Sequence, residues 1–511
     1  MKSIEYDKKA VGVEVIKKDY GKLCERYMSE FGQYVNEERA VPFIPDGLKP
    51  VQRRSLFVMH KTGAHPSKPT KKVVTLIGET LKYHPHGDKA IGDVIVTFAH
   101  TRYQLLDPQG AFGSPVAGAA AHRYIEGRLS KFGMRLFDRI NISPMVDNFD
   151  GLEKEPEYVS THIPLAVLNG YSGIGVGLAS GMPSHNIRQV VKGLIYLLTD
   201  EKAKESTFLH HIDRPDFGSC IITSSKEDVN MVYRNGRGSI SFLPKYSFQK
   251  DGDNVLLILD GVPPNLNIMN VIAKVKNNFQ SEGLVDYIEE EVIDEKTING
   301  IRPRVRLTVR AQNKKILSDD ILPMFSSRFN TSMFIVDKKK DTKIVPAMSF
   351  FEFNVRWVEY QKIFKKQELT ALLEKADYDL RMSEARHKII SSKSNIDKLI
   401  ALLRKPMKSN EEYVKAISKT FKLDMEQAES LYNIQVRSLS NINVKALEAK
   451  IADLKKLIKE LKEKLKNISG CIVEDLKLLE KEFGDENETV YASEFKVAGS
   501  AIKGKTMIVG I

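Results

Sequence analysis

The stretch Val73-Val74-Thr75-Leu76-Ile77-Gly78-Glu79-Thr80-Leu81-Lys82-Tyr83-His84-Pro85-His86-Gly87-Asp88-Lys89-Ala90-Ile91-Gly92-Asp93-Val94-Ile95-Val96-Thr97-Phe98 decides the fold of the N-terminal part of this chain. Apolar residues recur at helical spacing: Val73, Val74, Ile77 and Leu81, then Ile91, Val94, Ile95 and Phe98. Tyr83 to Asp88 interrupts them. The spacing predicts helices over 71–82 and 89–100 joined by a short glycine-containing turn, the arrangement of a helix-turn-helix. The Gly- and Pro-containing stretch 107–115 that follows suits a β-wing.

Just past it comes Ala119-Ala120-Ala121-His122-Arg123-Tyr124-Ile125-Glu126. Tyr124 is the candidate nucleophile, and Arg123 beside it supplies positive charge. One tyrosine among 18 carries little weight alone, so the case rests on its surroundings. His84 and His86 flank Pro85; as metal ligands they would need two more donors, and no Cys or carboxylate cluster stands nearby at zinc spacing. They read as phosphate contacts or as packing, and no metal ligand is assigned.

Upstream lies Arg39-Ala40-Val41-Pro42-Phe43-Ile44-Pro45-Asp46-Gly47-Leu48-Lys49-Pro50-Val51-Gln52-Arg53-Arg54. Asp46-Gly47 marks a turn and Pro50 suits the first turn of a helix. Lys49, Arg53 and Arg54 gather at that helix start, where cations oppose the helix dipole. A phosphate bound there would compensate them; a solvated basic face is the alternative. Downstream, Asn169-Gly170-Tyr171-Ser172-Gly173-Ile174-Gly175-Val176-Gly177-Leu178-Ala179-Ser180-Gly181 implies close backbone approach or tight turns. It is not a dinucleotide fingerprint, because Leu178 stands where the third glycine belongs. Core packing is the ordinary reading of Ile174, and a wedge into a base step is the other.

Residues 1–38 pattern as an amphipathic helical arm carrying Val13, Val15, Ile16, Tyr20 and Leu23. Over 205–345, strand-like runs at 219–223, 238–243, 255–259 and 304–309 surround a helix near 268–278, a mixed α+β region. Helical, highly charged sequence runs from about 350 to 403 and stops at Pro406. Shorter helices follow at 410–421 and 424–432. Then Leu447, Ile451, Leu454, Ile458, Leu461, Leu465, Ile468 and Ile472 step by four and three, a coiled-coil seam that Gly470 and Asp475 end. The expected form is an antiparallel hairpin with a globular tip, leaving Leu431 to Leu439 to meet a second copy. Gly499 to Thr506 fits a phosphate-loop pattern, but the chain reaches Ile511 without room for the helix that would bind the phosphates, so it is expected to be a chance match.

The formal net charge of +12, from 78 basic and 66 acidic residues, fits an acidic partner such as nucleic acid and equally a merely basic enzyme. Cys24, Cys220 and Cys471 are far apart and read as thiols of a reducing compartment. Met1 to Ala10 lacks an apolar signal core, and no run reaches the roughly 18 apolar residues of a membrane span. The expected location is cytoplasmic.

In order along the chain, Asp46 to Arg54, Lys82 to Asp88, Gln109-Gly110 with Phe112-Gly113-Ser114, Ala120 to Tyr124, Val146 to Gly151, Asn169 to Gly177 and Tyr233 to Gly238 together resemble the breakage–reunion subunit of type IIA DNA topoisomerases. This is the gyrase A and topoisomerase IV A-subunit family, with phage-type members, and the resemblance covers about residues 30–487. It implies an α+β multidomain fold: an N-terminal helical arm (1–38), a winged-helix breakage–reunion domain (39–165), a tower (166–345), a coiled coil with a C-terminal dimer gate (346–487) and a short tail (488–511). It implies that Tyr124 forms a transient 5′-phosphotyrosyl bond, with Arg123 and Arg39 as catalytic partners. Lys49, Arg53, Arg54, His84 and His86 match DNA-phosphate contacts, and Ile174 matches an intercalating isoleucine. It further implies a homodimer on double-stranded DNA, joined to an ATPase and metal-binding B-type subunit in an A2B2 complex. Mg2+ and ATP would be held by that partner. The location would be nucleoid-associated, or the host cytoplasm for a phage-encoded chain.

Some positions depart from the family pattern. Lys89 stands where a serine of the quinolone site is common, while Asp93 fits the acidic partner position. Gln52 replaces a histidine, Phe149 a tyrosine, and the Ser114 to Ala119 segment lacks the usual acidic residues. The β-pinwheel tail of gyrase is not seen after the coiled coil, so relaxation or decatenation is expected rather than supercoiling. A phenol ionises near pH 10, and neighbouring cations would favour its phenolate and the charge building on phosphoryl oxygens. A catalytically silent, architectural DNA-binding dimer is the competing expectation.

Overall fold

The computed structural model describes residues 19–337, 344–345, 347–434 and 444–497. The arm before Asp19, the tip residues 435–439 and the Gly499–Thr506 stretch fall outside them. Contacts divide the chain into two units: residues up to Val358 together with those from Leu478 onward, and Glu359–Lys477. Residues 39–165 and 166–345, read from sequence as separate domains, share the first unit.

That unit opens with α1 (Tyr20–Val35), whose first amides are capped by Asp19, and continues into a π-helical turn, Asn36–Ala40. Helix α2 (Pro50–Lys61) has Pro50 at its first position, and the Gln52 side chain accepts from Lys49 N–H at 3.0 Å, half of a capping box. The two helices of the opening stretch are present as α3 (Val73–Thr80) and α4 (Asp88–Thr97). Val73, Leu76, Ile77, Ile91 and Ile95 point inward, whereas Val74 and Leu81 are exposed. Strands β1 (Lys71–Lys72), β2 (Leu106–Gln109) and β3 (Glu126–Leu129) form an antiparallel sheet in the order β1-β3-β2. The loop 110–125 joins β2 to β3. A hairpin of β4 (Met145–Asp147) and β5 (Lys154–Pro156) follows.

The rest of this unit centres on a nine-stranded sheet. Its strands are β6 (Tyr171–Ile174), β7 (Ala179–Met182), β8 (Cys220–Ile222), β9 (Arg237–Asp251), β10 (Asn254–Asp260), β11 (Tyr287–Thr297), β12 (Gly300–Ala311), β13 (Ser327–Ser332) and the short strand Val490–Tyr491. The main path runs β11-β12-β10-β9-β13-β7-β6. The long β9 pairs through residues 237–242 with β13 and through 245–251 with β10, so it links the two halves. Alternate residues Leu257, Leu259, Val305, Leu307 and Val309 are buried under the helix Ile268–Val275, the period-two pattern of a half-buried sheet. The runs read at 238–243, 255–259 and 304–309 all lie within strands, and β9 and β12 extend well beyond them. Behind α4, Arg102 is buried between Asp216 (2.9 Å) and Asp485 (2.8 Å), tying the first residues after α4 to the sheet and to the returning chain.

In the second unit, the part of helix Phe350–Ile390 from Glu359 onward lies beside Val444–Lys466. The ion pairs Lys365–Asp475 and Glu384–Lys455 and the hydrogen-bonded contact His387–Glu448 pair rising with falling numbers, so the two runs are antiparallel. Leu369, Leu373 and Ala376 pack on Ile458, Leu461 and Leu465. The helix breaks at Asn467, ahead of Gly470, because Asn467 Oδ1 accepts from Gly470 N–H (3.0 Å) and starts a new helix, Ile468–Phe483. Asp475 continues the contact by pairing with Lys365. Short helices Asn410–Phe421 and Met425–Tyr432 enclose a separate cluster of Ile389, Leu399, Ile417, Phe421 and Leu431. Among the described residues, no helix is long and apolar enough to cross a membrane.

Candidate functional site

Tyr124 stands at the end of the β2–β3 loop, directly before buried Ile125. Backbone bonds fix it on both sides. Ile125 C=O accepts from Val73 N–H at the start of α3 (3.0 Å), Tyr124 N–H donates to Ala121 C=O (2.8 Å), and Ala120 N–H donates to Ala111 C=O (2.9 Å). The loop lies against α4 at Gly92, where a Cβ would come within 2.1 Å of the His122 ring. On this mount the Tyr124 side chain is 66% exposed, and the Arg123 guanidinium sits 4.6 Å from its ring centroid. The cation over the ring is a modest surface attraction that holds the guanidinium beside the exposed phenol.

A second group forms around the turn between α3 and α4. Arg39 donates to His86 Nδ1 (3.0 Å) and Arg54 donates to His84 Nδ1 (3.2 Å). Arginine can only donate, so both Nδ1 atoms accept and each neutral ring carries its proton on Nε2. Burial, and then the Arg54 charge, push His84 down to about 3; burial and Arg39 lower His86 in the same direction. Both rings are therefore hydrogen-bond donors through Nε2 at neutral pH, not cations. His84 is buried, His86 is half-buried and Arg39 is exposed.

The anions that balance the start of α2 come from the protein itself. Arg53 is 3% exposed, donates to both Asp46 oxygens (2.6 and 2.9 Å) and to Leu48 C=O, and stacks on Phe43. It is a structural cation, and the expectation of an Arg53–phosphate contact is corrected by its burial. Arg54 forks onto Glu155 (2.7 and 2.9 Å), so most of its donors are already engaged, and His84 is enclosed behind it. Neither presents the open phosphate contact that the sequence suggested. Lys49 remains at the surface side of the helix start, half-buried, with Nζ donating to Ser172 C=O (2.6 Å) and its pKa lowered by burial.

Ser172 leads into Ile174, the last residue of β6. Ile174 is 91% exposed, which excludes the core-packing reading. The glycines on either side have a steric reason: a Cβ at Gly173 would lie 2.2 Å from Ala40 C=O, and one at Gly175 would lie 2.0 Å from Asn36 Oδ1. The glycine-rich hairpin is pressed onto the π-helical turn that carries Arg39. Arg39, Lys49, Ser172 and Ala119 line one cleft, and Ala119 also borders the hollow beside Arg123.

The family model for the A subunit of DNA gyrase/topoisomerase IV matches residues 39–477. The chain belongs to this family. It is 28% identical to the gyrase A protein of Staphylococcus epidermidis over 90% of its length, 28% to that of Thermotoga maritima over 86%, and 29% to that of Mycoplasma genitalium over 91%. It covers 52%, 55% and 56% of those proteins, so the chain spans about half the length of the curated relatives it matches. For this member of the gyrase A and topoisomerase IV family, the matched span contains every residue of the candidate site from Arg39 to Ile174. Asn36 lies just before it and escaped the sequence reading. The only signal for it was the need of Gly175 for a neighbour, which the sequence does not name.

Proposed function

We propose that this chain is the DNA cleavage–religation subunit of an ATP-dependent type II topoisomerase. The observation that carries the proposal is Tyr124, exposed on a backbone-fixed mount with Arg123 stacked on its ring. Tyr124 Oη attacks a backbone phosphorus, the P–O3′ bond breaks with its electron pair going to O3′, which takes up a proton to become a 3′-hydroxyl, and the phenolic proton is lost to solvent. A 5′-phosphotyrosyl ester forms and keeps the bond energy for resealing by the reverse step. Arg123, stacked on the Tyr124 ring, and Arg39 offset charge developing on the phosphoryl oxygens. His86, oriented by Arg39, offers Nε2–H to a phosphate. Ile174 wedges into a base step and bends the cleaved segment. A second duplex passes through the break, which relaxes or decatenates DNA.

In this scheme α2–α4 with the β1-β3-β2 sheet is a winged helix, the large sheet is the tower, and the antiparallel helices lead to a dimer gate in a homodimer. Among the described residues no three His, Cys, Asp or Glu side chains gather as metal ligands. Mg2+ and ATP are assigned to a B-type partner subunit of an A2B2 complex. The test is to incubate the chain with such a partner, Mg2+, ATP and supercoiled plasmid, then stop with detergent and protease. Wild type is expected to release linear and nicked DNA with a residual peptide on its 5′ ends, and Tyr124→Phe to give none. Adducts with Tyr124→Phe would remove Tyr124 from the role; no adducts with either protein would favour a silent architectural dimer.

A further inference from the structure

Three anchors surround Ile174. Lys49 Nζ donates to Ser172 C=O (2.6 Å), Gly173 rests on Ala40 C=O, and the Asn36 side chain holds Val176 from both sides. Asn36 Oδ1 accepts from Val176 N–H (2.7 Å) and Asn36 Nδ2 donates to Val176 C=O (3.0 Å). One primary amide thus reproduces the paired bonds that a neighbouring strand would make, at a turn that no strand among the described residues covers. Asn36 is buried, and Gly175 N–H closes the turn on Leu178 C=O (2.9 Å). Its place on the π-helical turn ties the hairpin to the segment carrying Arg39, three positions on.

We infer that Asn36 is the positioning residue for Ile174: its amide clamp on Val176 sets the height and angle at which the isoleucine enters DNA. The inference rests on the wedge role proposed for Ile174. An exposed apolar side chain on a free glycine loop would lose its entry geometry to loop motion, and the clamp removes that motion before DNA arrives. Gly175 is part of the same device, since only a residue without Cβ leaves Asn36 Oδ1 room to reach the Val176 amide.

The test uses the full chain and a duplex bearing a cleavage site mapped with wild type, scanned with 2-aminopurine, whose fluorescence rises when its base step opens. Wild type at saturation is expected to raise the signal at one step on each side of the site, and Ile174→Ala to abolish the rise. Asn36→Ala is expected to lower it by about threefold to tenfold, the population shift for lost hydrogen bonds. Gly175→Ala is expected to do the same in the wild-type background and to add little in the Asn36→Ala background, a coupling that general loss of fold would not produce. If Ile174→Ala keeps the full signal, the wedge role itself is wrong. If Ile174→Ala abolishes the rise while folded Asn36→Ala leaves it unchanged, or if the Asn36 and Gly175 effects simply add, the clamp is wrong and the wedge stands. Should Asn36→Ala not fold, Gly175→Ala alone decides, with an unchanged signal overturning the clamp.

Discussion

The start of α2 and the tip of the β6–β7 hairpin make opposite use of their side chains. At α2 the sequence offers a basic cluster, yet Arg53 is buried on Asp46 and Arg54 is forked onto Glu155. At the hairpin the sequence offers an isoleucine between glycines, ordinary core material, yet Ile174 stands in solvent. Charge and hydropathy alone would assign the two regions the wrong way round. What separates them is whether a partner exists inside the fold: a buried arginine must find its carboxylate, whereas Ile174 stays exposed on a glycine hairpin that is itself pressed onto the π-helical turn.

The contrast gives an ordered set of substitutions. Arg53→Ala leaves Asp46 buried without its cation and is expected to destabilise the fold by about 3–5 kcal/mol, seen as a lower denaturant midpoint with or without DNA. A loss confined to DNA affinity at unchanged stability would return Arg53 to the interface. Ile174→Ala should behave in the reverse manner. Its unfolding free energy should stay within about 0.5 kcal/mol of wild type, while DNA cleavage with the partner subunit falls by about tenfold or more as the base-step unstacking loses its wedge. Equal cleavage by the two proteins would make the exposed isoleucine incidental.

The smallest effect concerns His84. Its folded pKa, about 3, lies below the ordinary imidazole value of about 6.5, so between those limits the unfolded chain binds a proton that the folded chain does not. This contribution is intact above about pH 6.5 and is lost as pH falls toward 3. His84→Gln keeps an acceptor for Arg54 and should reduce proton uptake on unfolding near pH 5 by close to one proton, measured from the pH dependence of the unfolding midpoint. An unchanged pH slope would mean that the ring is not held neutral by its surroundings.

Much of the framework was legible in the sequence because it rests on local pattern. The periodicity around Ile77 and Ile91 located α3 and α4, and the four-three spacing from Leu447 located the helix Val444–Lys466 that packs on Leu369 and Leu373. Strand β11 was missed because its run of Glu289-Glu290-Glu291 lacks apolar alternation; it is the edge of the sheet, where charge blunts further pairing. The ion pair of Arg54 and the anchoring of the Ile174 hairpin were illegible, although the wedge reading of Ile174 was open from the sequence. Glu155 lies 101 positions from Arg54 and Asn36 lies 140 from Val176, and no spacing rule connects such residues before the fold does.

The central claim is that Tyr124 becomes covalently joined to DNA, and the most direct measurement is mass spectrometry of the trapped complex. The chain, its partner subunit, Mg2+ and DNA are denatured together, digested with nuclease and protease, and the adducted peptide is sequenced. The expected result is a nucleotide esterified through its 5′-phosphate to Tyr124, in the peptide that begins after Arg123. A nucleotide on any other residue, or attachment through a 3′-phosphate, would contradict the account.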